Sequence, residues 1–313
     1  MAPLVQRLGF IALNAVDLDA VVADATAIAG ARLVERTKDR AILTSNKRRA
    51  ELVFYRASAN EGRRIGLEAV HPDAVGEARK RAEKAGVTIV SDRPSLEFID
   101  KSVTFVTSEG HVIEFHSAVP NDQPRWYAGP GIHPNCIDHV NLTAINPQAV
   151  TRELSDVLGT KLSERTVHDE VTWIRAADRR HHTIGIVRGQ RPGMHHYSWE
   201  FNSFDDFKRL GDVLAAEERT LVWGPGRHGA GDNVFSYYLD PAGFMVECTA
   251  EMEIMHDDDV EPRICDAGAA LDNPRVVNLW GSPPTKVWLE HHTDFAALDP
   301  ADRGIASARP KSA

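Results

Sequence analysis

AGFMVEC (242–248) is the stretch on which the fold turns, because EGHVIEF (109–115) repeats its pattern in an earlier part of the chain. Each is a glycine turn followed by apolar alternation around a glutamate, and each follows a strand-like run, NVFSYYLDP (233–241) or SVTFVTS (102–108). That is the signature of a strand–turn–strand hairpin. Upstream, RLGFIALNAVDLDAVV (7–22) parallels IDHVNLTAINPQAVTREL (137–154), and RIGLEAVHPDAVGEARKRAEKAGV (64–87) parallels MHHYSWEFNSFDDFKRLGDVLAAEER (194–219). Both pairs read as a strand, a turn and an amphipathic helix. Such self-similarity marks a duplicated unit. The expected architecture is α+β, four βαβββ modules paired into two domains at 4–120 and 136–255. A Pro/Gly-rich connector, NDQPRWYAGPGIHPN (121–135), joins them. Residues 256–313 read as a C-terminal arm containing Trp280 and Trp288, with a disordered end at ADRGIASARPKSA.

Composition narrows the class. With 313 residues the chain is long enough for two full cores, and 42% hydrophobic with 26% charged content is ordinary for a globular protein. A net charge of −9 offers no basic stripe for phosphates, which argues against a nucleic-acid partner. No apolar run approaches a membrane span, and the first residues lack a secretory h-region, so a cytoplasmic location is expected. Cys136, Cys248 and Cys265 are odd in number and lack CxxC spacing, so they read as reduced thiols.

Comparison of the copies singles out three residues. His139, His196 and Glu247 each lie in a short apolar strand-like segment. Aligned by separation from the glutamate, Gly9 to Glu114 is 105 residues against 108 for His139 to Glu247. Gly66 to Glu114 is 48 against 51 for His196 to Glu247. On that alignment glycines replace both histidines in the first copy and only the carboxylate is kept. Chemistry is therefore expected in the second copy. Two imidazoles and one carboxylate with open coordination positions suit a non-haem Fe(II) centre. A single strand histidine is more often a hydrogen-bonded core residue, so the weight lies on the set.

Further residues share these segments. His182 leads into a strand, with His181 its competitor. His228 lies in WGPGRHGAGDN (223–233), a loop whose glycine content is costly to order without a purpose. Tyr237 and Tyr238 compete within FSYY. Strand alternation turns His195 and Trp199 away from His196, so His195 is expected at a surface or interface and Trp199 in the core. Cys248 is expected in the core for the same reason. Arg179, Arg180 and Arg188 read as solvated. Trp173, with Ile174 beside it, is placed to line a ring pocket, and Trp223 to border it or pack at a strand end.

As a set, the second copy resembles the catalytic half of type I extradiol ring-cleavage dioxygenases of the vicinal oxygen chelate superfamily. The matching residues are Asp138-His139-Val140-Asn141, His182-Thr183, His195-His196-Tyr197-Ser198, Gly224-Pro225-Gly226-Arg227-His228-Gly229, and Tyr237 through Asp240-Pro241 to Glu247. The separations 14 (182 to 196), 9 (228 to 237) and 10 (237 to 247) fit the same pattern. The resemblance implies a glyoxalase/extradiol-type fold with its metal in the C-terminal domain. It implies Fe(II), or less commonly Mn(II), on His139, His196 and Glu247. His182 would be the acid–base catalyst, and Tyr237 and His228 would bond a catechol's oxygens. Asn141 would add a polar contact to substrate near the metal; Trp173, read from its strand position alone, is the other candidate for substrate contact. The implied reaction is O2-dependent cleavage of a catechol-type ring beside its diol.

Two alternatives use the same module, a metal-dependent glyoxalase-like isomerase or lyase and a non-enzymatic small-molecule-binding module. The segment before His228 offers no obvious arginine besides Arg227 of the motif, which weighs against a carboxylated substrate. Edge strands and an extended arm lead us to expect a homo-oligomer.

Overall fold

The computed structural model describes residues 2–122, 129–257, 260–265 and 277–298. The chain runs through the module βαβββ four times. The first holds β1 (Val5–Ala15), α1 (Leu18–Asp24), β2 (Arg32–Arg36), β3 (Arg40–Thr44) and β4 (Leu52–Arg56). The second holds β5 (Glu61–Ala69), α2 (Ala74–Ala85), β6 (Thr88–Ser91), β7 (Ser102–Val106) and β8 (Val112–His116). The third holds β9 (Cys136–Ala144), α3 (Pro147–Leu158), β10 (Lys161–Thr166), β11 (Val171–Arg175) and β12 (Ile184–Arg188). The fourth holds β13 (Gly193–Glu200), α4 (Phe204–Ala216), β14 (Trp223–Arg227), β15 (Val234–Leu239) and β16 (Met245–Ala250). A short β17 (Arg263–Cys265) and α5 (Lys286–Leu289) belong to the arm. The end segment ADRGIASARPKSA lies outside the described residues, as does most of the connector's middle.

Modules one and two share an eight-stranded sheet, β2-β3-β4-β1-β5-β8-β7-β6. Modules three and four share a nine-stranded one, β14-β15-β16-β13-β9-β12-β11-β10-β17. Local chemistry sets the elements. Asp17 caps α1 by accepting from the amides of Asp19 and Ala20. Asn146 caps α3 through Ala149 N, with Pro147 at the first helical position, where its missing N–H costs nothing.

Alternation along each strand sorts two faces. In β9, Val140 and Leu142 enter the main core while His139, Asn141 and Thr143 face a cavity. In β16, Val246 and Cys248 are core and Glu247 points to the cavity side. Trp199 and Ile174 also lie in the core, so Trp199 and Cys248 sit where alternation puts them. Ile174 does not reach the pocket that Trp173 lines.

The first sheet has the same two faces, but its inner face is plugged. Phe10, Ala12, Ile42, Ala50 and Val53 pack there with Leu96, Ile99 and Val119. Each fully buried aliphatic or aromatic side chain in such a cluster contributes about 1.5–3 kcal/mol. Strand pairing corrects the expected alignment of the two copies. Glu114 pairs with Gly66, as Glu247 pairs with Ser198. Arg64 pairs with Ala12, as His196 pairs with Asn141. His139 is therefore matched by Phe10 and His196 by Arg64, not by Gly9 and Gly66. Gly66 is instead the position over which the Phe10 ring lies; a Cβ there would come within 2.4 Å of it.

Candidate metal centre

Two β-bulges create the site. In β13 the partners of Met194 and His196 are the adjacent Leu142 and Asn141, so His195 is an extra residue. In β9 the partners of Tyr197 and Trp199 are Val140 and Ile137, which inserts an extra residue at Asp138–His139. A bulge re-aims side chains that alternation would send to opposite faces. His139 Nε2 lies 2.9 Å and His196 Nε2 3.0 Å from the same oxygen, Glu247 Oε2. Among the described residues, these are the three metal-donating side chains whose ligand atoms converge, all within 4.8 Å of one another.

The arrangement fits a cation. His196 Nε2 is buried and lacks a well-aligned hydrogen bond although Glu247 is close. Two nitrogens and one carboxylate oxygen are donors for Fe(II), Mn(II) or Zn(II) alike. Burial works to raise the Glu247 carboxyl, but the charge of His139 opposite, with the His196 and His228 rings close by, holds it well below the usual carboxylate range. The centre therefore carries an anionic ligand. Asn233 Nδ2 also reaches Glu247 Oε1 at 3.3 Å.

Each histidine has a partner behind it. Asp138 Oδ2 accepts from His139 Nδ1 at 2.7 Å and Asp138 Oδ1 pairs with Arg180 at 2.9 Å. Arg180 in turn holds both oxygens of Glu200. Arg180 is thus a buttress of the centre and not a solvated charge, a correction that only spatial neighbours could supply. His195 overturns the expectation too: it is buried, 2.7 Å from His196 Nδ1 through its own Nδ1, because the bulge removes the alternation that would have sent it outward.

The ring of His182 stands 4.4 Å from that of His139. Burial first, then the neighbouring imidazoles of His139 and His181, hold it well below the ordinary histidine range, so the ring is neutral. His181 Nδ1 lies 3.0 Å from His182 Nδ1, and His181 Nε2 lies 3.1 Å from Glu164. Tyr237 bonds His228 Nε2 at 2.9 Å, and the Val277 carbonyl accepts from His228 Nδ1. His228 Nε2 is then the acceptor and the Tyr237 hydroxyl the donor. Burial, followed by the charge of Glu247, pushes the Tyr237 phenol well above its usual value. Tyr238 packs in the core instead.

His139, His196, Glu247, His182, His228, Tyr237, Asn141 and Trp173 all line one cavity of about 560 Å³. The arm supplies another wall: Trp288, Leu289, His291 and His292 line it as well. Gly193 lets the arm cross β13, since a Cβ there would meet His292 at 2.3 Å and the Thr293 carbonyl at 2.5 Å. Trp223 does not line the cavity; it stacks on Tyr237 at 5.5 Å and 7°. Trp280 lies away at the β14 edge, bridging Arg227.

Residues 136–248 match the profile of the family described as Glyoxalase/Bleomycin resistance protein/Dioxygenase superfamily. The chain carries a domain of this superfamily. Among curated relatives of the superfamily domain, the manganese-dependent 2,3-dihydroxybiphenyl 1,2-dioxygenase of Geobacillus genomosp. 3 is 33% identical over 141 residues, 42% of this chain. The match spans 44% of that relative, less than half its length. Metapyrocatechase 2 of Cupriavidus necator is 25% identical over 221 residues, covering 64% of this chain and 67% of the relative. A solved Mn(II)-bound glyoxalase from Novosphingobium aromaticivorans superposes with a TM-score of 0.82 at 26% identity, covering 94% of this chain and 96% of that one.

Sequence reasoning assigned no role at the site to His195, His181, Glu164, Asn233 or the arm's His291, whereas Trp288 of the arm does line the cavity. The HH doublets at 181–182 and 195–196 were the available signal, two neighbouring imidazoles in each case.

Proposed function

We propose that the chain is an extradiol ring-cleaving dioxygenase that inserts both atoms of O2 into a catechol-type diol, in the breakdown of aromatic compounds. The convergence of His139, His196 and Glu247 beneath His182 and the Tyr237–His228 pair carries this reading. His139, His196 and Glu247 would hold a single Fe(II), with Mn(II) the alternative; the manganese named in one relative and in one superposed structure keeps both open. When bound, the ion supplies a template for both reactants and a path for electrons between them.

This chain's own residues do the rest. The Tyr237 hydroxyl and His228, already bonded to each other, are placed to exchange that bond for bonds to the two oxygens of a diol and so hold it as a monoanion. His182, neutral and buried beside the ligands, can take up and return a proton within the cavity. Asn141 offers a carbonyl oxygen with no partner, and Trp173 forms a flat apolar wall for a ring. A 560 Å³ cavity leaves room for a substituent on the catechol ring. Trp288, Leu289, His291 and His292 of the arm wall the cavity on one side.

We place the units at 4–120 and 136–255 with the arm at 256–313, and expect a homo-oligomer through the outermost strands β2 and β6. Among the described residues no helix is long and apolar enough to cross a membrane, and the net charge of −9 favours a small-molecule partner over nucleic acid. We expect the enzyme to act in the cytoplasm. The test is to load metal-free protein with Fe(II) or Mn(II) under argon, add a panel of catechols and admit air. O2 uptake with a yellow ring-fission product supports the proposal. The glyoxalase neighbour favours a second reading, metal-dependent isomerisation, which would proceed without O2 uptake and without that chromophore.

A further inference from the structure

We infer that His195 is a positioning residue through which the arm's Trp288 carbonyl fixes the ring of His196 with its lone pair toward the metal. The inference rests on the reading of His139, His196 and Glu247 as a metal centre. The Trp288 carbonyl can only accept, so the 2.8 Å contact to His195 Nε2 places the His195 proton on Nε2. In a neutral ring that leaves His195 Nδ1 bare. The 2.7 Å contact between the two Nδ1 atoms then holds one proton, and it belongs to His196. His196 Nε2, which faces Glu247 Oε2 at 3.0 Å, is left unprotonated.

Without the relay the opposite tautomer would win. His196 could then place its proton on Nε2, donate it to Glu247, and block the position an ion would take. The His195 ring is also clamped between Trp288, at a centroid distance of 4.7 Å, and His291, at 5.7 Å, so the arm fixes its orientation as well as its tautomer. Outer partners that orient a ligating imidazole are worth about 10–100-fold in metal affinity.

Two substitutions separate this from a strap that merely anchors the arm. His195→Leu removes the acceptor facing His196. His195→Asn keeps an acceptor close to the Nδ1 position and drops the contact to Trp288. Mn(II) and Fe(II) affinities are measured by chelator competition, and ring tautomers by 15N NMR of the metal-free proteins, with circular dichroism to confirm folding. The expected result is about 10–100-fold weaker binding for His195→Leu and a loss of about threefold or less for His195→Asn. The His196 proton should move from Nδ1 to Nε2 in the leucine variant alone. Binding as tight as the parent in His195→Leu, equal losses in both variants, or a parent His196 protonated on Nε2 would overturn the relay. A folded parent that binds neither ion would overturn the metal centre itself and the relay with it.

Discussion

Position 182 shows how the site divides binding from chemistry. His182 ligates nothing in the proposed centre, yet its ring lies over His139 and lines the cavity. A group that moves a proton in the transition state should affect turnover and leave ground-state binding alone. We predict that His182→Asn binds catechol under argon within a few-fold of the parent and lowers kcat by about 10²–10⁴. Anaerobic titration and oxygen-electrode kinetics check the two halves, and a variant that lost both equally would remove His182 from the proton role. His196→Ala should instead lose the ion, read by metal analysis, and with it all ring cleavage. The residues named from the sequence were legible because their types and spacings form a motif. Arg180, His195 and Glu164 were not, because each acts through a neighbour distant in sequence or re-aimed by a bulge.

At the scale of elements, the fold was legible and the register was not. Glycine turns, caps and apolar periodicity marked all four modules. The alignment of the copies slipped by one residue at Gly9 and two at Gly66. Separations that agree only to within three residues cannot fix a register, because the segments between the paired strands differ in length between the copies. The β15–β16 hairpin shows what element ends can store. Its turn is held by Asp240 Oδ1, which accepts from the amides of Ala242 and Phe244 at 2.9 Å each, while Oδ2 is buried without a partner. Burial, then the charge of Asp24, pushes this carboxyl from 3.8 up to about 7. The folded chain therefore holds a proton here that the unfolded chain releases between about pH 4 and 7. Stability from this group is greatest at or below about pH 4, falls as pH rises through that window, and levels off above 7. Asp240→Asn keeps the Oδ1 acceptor and cannot ionise. Its urea midpoint relative to the parent should rise from pH 4.5 to 7.5, by no more than roughly 4 kcal/mol in stability. A difference independent of pH would show that Asp240 titrates normally.

The molecule as a whole is two versions of one design, and the contrast explains why one half alone is suited to chemistry. Phe10 stands where His139 stands, and Arg64 where His196 stands. Arg64 reaches Glu114 Oε2 at 2.5 Å with both side chains buried. Glu114 also accepts from the amide of Ser95 at 3.0 Å. A guanidinium thus occupies the place a cation would take, and the apolar plug fills the rest. This predicts one metal ion per chain, whatever is done at position 64. Arg64→Met should leave the Glu114 charge buried with its bond from the Ser95 amide but without its cation, and destabilise the fold by about 3–5 kcal/mol. Arg64→Met combined with Glu114→Gln removes the stranded charge and should recover much of that loss. Chemical denaturation of the two variants, with metal analysis of each, tests both statements. If Arg64→Met were as stable as the parent, or if it bound a second ion, the first half would be an idle metal site and not a plugged one.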